Sequence, residues 1–158
     1  MLRLGKLTDY ATVVLSYMAR DRVNVHTAIG IAEATGITQT TVSKILKLLV
    51  KAKVLNSTRG AKGGYVLAKA PEQVTVVDII YALEGPIALT ECSISHRDCE
   101  QASGCGIRGN WEVINRKIYD ALESITLADM ILPVKAPDEV YIPISDLSVS
   151  GEYNVSKY

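Results

Sequence analysis

Histidine and cysteine are scarce in this chain, with two His and three Cys in 158 residues. His26 and His96 are the only imidazoles, and no motif of an activated nucleophile accompanies them, so an acid–base or covalent active site has little to be built from and the chain is read as a non-enzyme. An odd number of thiols does not make a disulfide framework; in a reducing compartment it fits a metal or redox site better. No apolar run approaches the roughly 18–20 residues needed to span a bilayer. The opening Met-Leu-Arg-Leu-Gly-Lys-Leu-Thr-Asp has no apolar stretch of signal-peptide length. A cytoplasmic protein with no membrane partner is expected.

Acids are also scarce, but only in the first half. Residues 1–70 carry Arg3, Lys6, Arg20, Arg22, Lys44, Lys47, Lys51, Lys53, Arg59, Lys62 and Lys69 against Asp9, Asp21 and Glu33, a balance of +8. The formal net charge is zero, so residues 71–158 carry −8. A basic half suggests a polyanionic partner, most simply nucleic acid, with a solvated basic face as the bland alternative.

What is present suffices for a core. Hydrophobic residues make up 48% of the chain, too many for disorder, and the length suits one domain with an appendage or two small modules. Thr8 is read as the cap of a helix over 9–20, with Tyr10, Val14, Tyr17 and Met18 on one face and Asp9 in the first turn, where the helix dipole favours a carboxylate. Thr27 starts a shorter helix over 28–35, which Gly36 ends. Thr38 caps the next, over about 39–52, whose stripe Val42, Ile45, Leu46 and Leu49 follows helical spacing. Two helices joined by a short glycine-containing turn make a helix-turn-helix candidate, although ordinary helical hairpins share the outline.

The other side of that second helix is small, polar and basic: Thr38, Gln39, Thr40, Thr41, Ser43, Lys44 and Lys47. A recognition helix reads base edges with its first residues and phosphates with flanking cations; Gln suits adenine, and Ser or Thr several edges. Strands are expected over 54–58 and 65–68, flanking Arg59-Gly60-Ala-Lys62-Gly-Gly64. Three glycines allow a tight hairpin, and Arg59 and Lys62 at its tip suit phosphate or minor-groove contact, as in the wing of a winged helix. A plain surface hairpin is the alternative.

Thr75 and Asp78 form a capping-box start for a helix to about Leu83, with Val76, Ile79, Ile80 and Leu83 inward and Gly85-Pro86 as its stop. All three cysteines follow in Cys92-Ser-Ile-Ser-His-Arg-Asp-Cys99-Glu-Gln-Ala-Ser-Gly-Cys105, a polar loop whose shape is best explained by a bound group. A longer helix over about 108–124 carries Trp111, Ile114, Ile118, Leu122 and Ile125 at three- or four-residue steps, a dimerising seam unless it packs on the chain's own core. Thr126 caps a last short turn over 127–132. The fold class expected is mainly α with a small β-hairpin: a winged helix-turn-helix over 1–84, a cysteine loop over 85–107, a long dimerisation helix over 108–132 and an extended tail over 133–158, with a short strand near 140–144.

Several of these residues together resemble a known family. Leu7-Thr-Asp-Tyr-Ala11, Gly36-Ile-Thr-Gln-Thr-Thr-Val42 and Arg59-Gly-x-x-Gly-Gly-Tyr-x-Leu67, followed by three cysteines and a Trp-bearing helix, are similar to the iron–sulfur winged-helix regulators of the IscR, NsrR and SUF-operon type over about residues 1–132. The resemblance implies a homodimer on partly palindromic double-stranded DNA, with Cys92, Cys99 and Cys105 holding a 2Fe–2S or 4Fe–4S cluster. Thiolates are the normal ligands of such clusters. In IscR a His three residues after the last Cys completes the site; here Arg108 stands there, and a guanidinium that stays protonated does not ligate. In NsrR-type members an Asp early in helix 1 of the partner subunit serves, which matches Asp9. His96 is the lesser alternative.

The first reading is a repressor that senses cluster status and controls iron–sulfur assembly genes of the SUF type. The second is an NsrR-like sensor of nitric oxide. A third, of another class, is a zinc-stabilised or redox protein without a cluster, although structural zinc prefers four ligands commonly paired as C-x2-4-C and the spacings here are wider.

Overall fold

The computed structural model describes residues 4–60, 63–90 and 105–133. In these the chain forms α1 (Lys6–Arg20), α2 (Ala28–Thr35), α3 (Gln39–Lys51), β1 (Leu55–Thr58), β2 (Gly64–Leu67), a 3-10 turn (Pro71–Gln73), α4 (Val76–Glu84), α5 (Arg108–Glu123) and α6 (Leu127–Ile131). The two strands pair antiparallel, Leu55 opposite Leu67 and Thr58 opposite Gly64. The result is the mainly helical, winged arrangement read from the sequence.

The helix starts follow from local capping. Thr27 accepts from the Gly30 amide and Thr38 from the Thr41 amide, each satisfying a donor that the first turn leaves unpaired. Thr75 with Asp78, and Thr126 with Asp129, form complete capping boxes. The Thr126 hydroxyl and amide both reach Asp129 and hold its carboxyl below the usual range. At the other end of α2, Gly36 takes the left-handed conformation (φ 71°) and returns its amide to the Ala32 carbonyl.

α1 starts differently from the expectation. It begins at Lys6, not after Thr8, and its cap, Gly5, has no side chain to offer. Thr8 is instead buried in the first turn, 1% exposed, and donates its hydroxyl to Glu84 at the end of α4. The Glu84 carboxylate also accepts the Gly5 amide at 2.7 Å. A cap supplied from 79 residues away replaces the local one. α4 also turns slightly from the expected face, burying Val77 with Ile79 and Ile80 while Val76 is half-exposed.

α3 ends without a glycine. Lys53 adopts φ 61°, its amide bonds to the Val50 carbonyl and the Val54 amide to the Leu49 carbonyl. That is a Schellman closure with buried Val54 and Leu49 beside it. It turns the chain sharply into β1. In the hairpin, Gly64 lies against the chain before α2: a Cβ there would stand 2.6 Å from the His26 carbonyl oxygen. The close approach lets His26 and Tyr65 exchange backbone hydrogen bonds at 3.0 and 2.8 Å, adding a third edge to the two-stranded sheet. His26 itself is buried, its Nε2 2.8 Å from the Asp21 carbonyl and its ring edge-on to Tyr17.

The core is one cluster. Ala11, Val14, Leu15 and Met18 of α1 meet Ile31 of α2 and Val42, Ile45, Leu46 and Leu49 of α3. After α5 the chain comes back to it: the Leu127 amide bonds to the Val74 carbonyl at 2.7 Å, the Val76 amide bonds to the Ile125 carbonyl at 2.9 Å, and Leu127 is 0% exposed. α5 itself buries nothing completely. Ile118 and Leu122 share a groove with Ile80, Ile87 and Leu89, whereas Trp111 and Ile114 stay 36% and 41% exposed. The expected tail and the cysteine loop from 91 to 104 lie outside the described residues.

Leu127 is the side chain through which α6 enters the core. Leu127→Ala is expected to lower unfolding free energy by about 2–4 kcal/mol, while Val23→Ala, 92% exposed after α1, changes it by no more than about 0.5 kcal/mol per chain. Chemical denaturation of dilute protein checks both.

Candidate nucleic-acid interface

α3 presents one face to the core and the opposite one to water. Its buried stripe leaves two outward rows, Gln39–Ser43–Lys47 and Thr40–Lys44, on the same side. Gln39, Thr40, Lys44 and Lys47 are exposed and Ser43 is half-buried, and with Leu48 they line one shallow concave surface. Among the described residues the ion pairs are Arg22–Glu72 at 2.8 Å and Arg108–Glu112 at 3.1 Å, so neither Lys44 nor Lys47 is neutralised there. From residue 34 to residue 71 the chain contains no Asp or Glu. The field over this face is therefore positive without local compensation.

Thr38 and Thr41, expected to face a ligand, are partly committed to each other. Their hydroxyl oxygens stand 2.9 Å apart and Thr38 also caps the helix. They shape the start of α3, and one hydroxyl of the pair keeps acceptor capacity outward.

Arg59 and Gly60 lie on a second surface. It is a cleft between the start of α2 and the hairpin, lined by Thr27 and Ala28 on one side and Ser57, Thr58, Arg59 and Gly60 on the other. Gly60 takes φ 115°, which a side chain would oppose, and its carbonyl receives the Gly63 amide at 2.9 Å. Lys62 lies outside the described residues. Ser57 and Thr58 were not singled out in the sequence reading. Their signal was the run of three exposed polar residues, Asn56-Ser57-Thr58, in a strand whose remaining residue, Leu55, is buried. The amide- and hydroxyl-bearing helix face and the hairpin cleft carrying a guanidinium both suit phosphate oxygens and base edges.

The candidate metal ligands are divided. Asp9 is exposed in the first turn of α1, and no described residue engages its carboxylate. Cys105 is half-buried with a free thiol, in the turn just before α5. Arg108, at the first position of α5, reaches Glu112 one turn on at 3.1 Å. Cys92, Cys99 and His96 lie outside the described residues. No helix among the described residues is long and apolar enough to cross a membrane.

Residues 4–133 match the model of the Rrf2 family, described as an iron-dependent transcriptional regulator. The rrf2 protein of Nitratidesulfovibrio vulgaris is 37% identical over 101 residues, 64% of this chain and 67% of that protein. Among solved structures, CymR, the global cysteine regulator of B. subtilis, is 30% identical with a TM-score of 0.64 over 83% of this chain and 97% of its own. IscR of T. potens is 29% identical with a TM-score of 0.61 over 82% of this chain and 86% of its own.

Arg59→Ala is expected to weaken binding to a specific operator by at least about tenfold, because an arginine in a narrow minor groove exploits strong negative potential. Lys47→Ala should weaken all sequences alike and flatten the slope of log affinity against log salt by about one unit. Fluorescence anisotropy across a salt series measures both. Unchanged affinity of Arg59→Ala at moderate salt would remove the hairpin tip from the interface.

Proposed function

Because the chain belongs to the Rrf2 family of transcriptional regulators, and is thus a DNA-binding regulator and not an enzyme, we propose that it acts as a homodimeric repressor whose DNA affinity is set by an iron–sulfur cluster. The α3 face, with Thr38, Gln39, Thr40, Thr41, Ser43, Lys44 and Lys47, enters the major groove. Arg59, Gly60 and Lys62 follow the backbone or minor groove. Two copies related by a two-fold axis place their α3 helices about 34 Å apart, one helical turn of DNA, which matches a partly palindromic site.

The cluster reading rests on the state of Asp9 and Arg108. Cys92, Cys99 and Cys105 supply three thiolates, and a fourth donor is needed. Arg108 is committed to Glu112 and carries no lone pair to give. Asp9 is exposed and unengaged among the described residues, so its carboxylate donor chemistry fits. We assign it as the fourth ligand, from the partner subunit, with His96 as the competing donor. A bound cluster would supply a centre sensitive to iron supply, oxidants or nitric oxide. The chain's own contribution is to connect the cysteine segment, α1 and the DNA face, so that gain or loss of the ligand shifts the population of DNA-competent dimers. The support for iron–sulfur assembly genes of the SUF type as targets is the likeness of the opening Leu7-Thr-Asp-Tyr-Ala11 to SUF-type members. The NsrR-like reading, a nitric-oxide sensor, is favoured by one feature, Arg108 in the place of a ligating His, and uses the same residues.

The absorption spectrum of protein purified without oxygen tests this. Charge-transfer bands in the visible, abolished by Ala at any one of the three cysteines, are expected. A colourless protein would overturn the cluster and leave a cluster-free or zinc-stabilised regulator. Asp9→Ala should change the spectrum or shorten the lifetime of the colour, with His96→Ala silent; the reverse pattern would move the fourth ligand into the cysteine segment.

The proposed dimer seam is α5, and its support is that exposed Trp111 and Ile114 continue the stripe of half-buried Ile118 and Leu122. Ile118→Glu would bury an unpaired charge at that seam and should give monomers by sedimentation at micromolar concentration. Wild-type protein already monomeric there would overturn the two-fold arrangement.

A further inference from the structure

We propose that Glu84 is a positioning residue that couples the cysteine segment to Asp9 and, through α1, to the DNA face; the proposal rests on the cluster reading above. Glu84 is the last residue of α4, and the chain turns at Gly85 (φ 91°), seven residues before Cys92 in the sequence. Its side chain does not serve α4. It crosses to α1, where it accepts the Gly5 amide at 2.7 Å and the hydroxyl of Thr8. Gly5 then passes the link on, since its carbonyl receives the amides of Thr8 at 3.0 Å and Asp9 at 3.2 Å. One carboxylate thus holds the peptide group that holds Asp9.

Three features make this more than a surface contact. Thr8 is 99% buried, and an unpaired hydroxyl there would be costly, so its partner is not freely exchanged for water. Gly5 has no side-chain cap of its own, so the first turn of α1 depends on Glu84 for the stabilisation an N-cap normally gives. A Cβ on Gly5 would sit 3.1 Å from Glu84 Oε1, so the carboxylate would have to give by a few tenths of an ångström to admit a larger residue. On the far side, α1 buries Ala11, Val14, Leu15 and Met18 in the same cluster as Val42, Ile45 and Leu49 of α3. On the cluster reading, a shift of the described residues 85–90 is therefore delivered to the start of α1, and α1 delivers it to the recognition face.

The test compares Glu84→Ala, Glu84→Gln and Thr126→Ala with wild type. Thr126→Ala removes a comparable cap from α6 and serves as the control for lost stability. In cluster-free protein, Glu84→Ala should speed hydrogen exchange of the Gly5–Asp9 amides by about fivefold or more. In anaerobic, cluster-loaded protein it should alter the visible circular dichroism and reduce the ratio of loaded to cluster-free operator affinity to within about twofold of one. Glu84→Gln keeps an oxygen that accepts from Gly5 and Thr8, and should restore both readouts. Thr126→Ala should lower the melting temperature and keep the ratio. An unmoved ratio and dichroism in Glu84→Ala, no rescue by Gln, or an equal loss in Thr126→Ala would each overturn the coupling. A colourless wild-type protein would overturn the cluster reading and the coupling with it; a coloured one with an unmoved Glu84→Ala ratio overturns the coupling alone.

Discussion

The stripe Ala11, Val14, Leu15 and Met18 on α1 is covered from several sides at once, by α2, α3, α4 and α6. Each of the larger side chains gains about 1.5–3 kcal/mol by leaving water, and no other element of the described chain touches so many neighbours. The dependence runs one way. A two-stranded hairpin is marginal alone, and this one is held by Leu55 in the same core and by the backbone exchange between Tyr65 and His26. α3 has its angle set by Val42, Ile45, Leu46 and Leu49 pressing on α1 and α2, so its polar rows point away only because the apolar stripe is fixed. The candidate DNA face is the outer side of a packing decision made around α1.

What was legible in the sequence is what local chemistry decides. Thr27, Thr38, Thr75 and Thr126 all cap the helices expected of them, because an N-cap needs only a short side-chain oxygen and an amide two or three residues away. The stripe of α3 was visible for the same reason, as a matter of spacing along one helix. Thr8 has the same chemistry and misled: its oxygen went to Glu84, and no short window of sequence contains both. The end of α3 was hidden differently, since its left-handed residue is Lys53 where glycine is the usual marker. Gly64 was read as turn flexibility, while the structure shows its missing side chain making room for the His26 carbonyl. The basic face was legible as a bias in charge; the cleft with Ser57 and Thr58 was not, because two segments far apart in sequence form it.

α5 shows how far a periodic pattern can be taken. Trp111, Ile114, Ile118, Leu122 and Ile125 were read as a seam with two possible covers, the chain's own core or a second copy. The fold gives the first cover to only part of the stripe. Its C-terminal part leans on α4 and the segment 86–89, and its N-terminal part is open. Spacing states that a face is apolar; it carries no information on which neighbour reaches it first.

The segment between Thr90 and Cys105 leaves and returns within one structural unit. At its entry, Asn115 of α5 accepts the Leu89 amide at 3.1 Å and donates to the Ile87 carbonyl at 3.3 Å, while Glu84 ties the same stretch to α1. At its exit, Cys105 stands in the turn that opens α5. Both ends are thus anchored to α4, α5 and the start of α1, and the C-terminal end of α5 is stitched to Val74 and Val76 beside α4. A group held between those ends can tighten or release only against these anchors. On the cluster reading proposed above, the binding energy of that group would appear as a change in how α5 and α1 sit on the core. With the second copy proposed to meet α5, and α1 packed against the recognition helix, ligand state, dimer geometry and DNA affinity would then form one equilibrium.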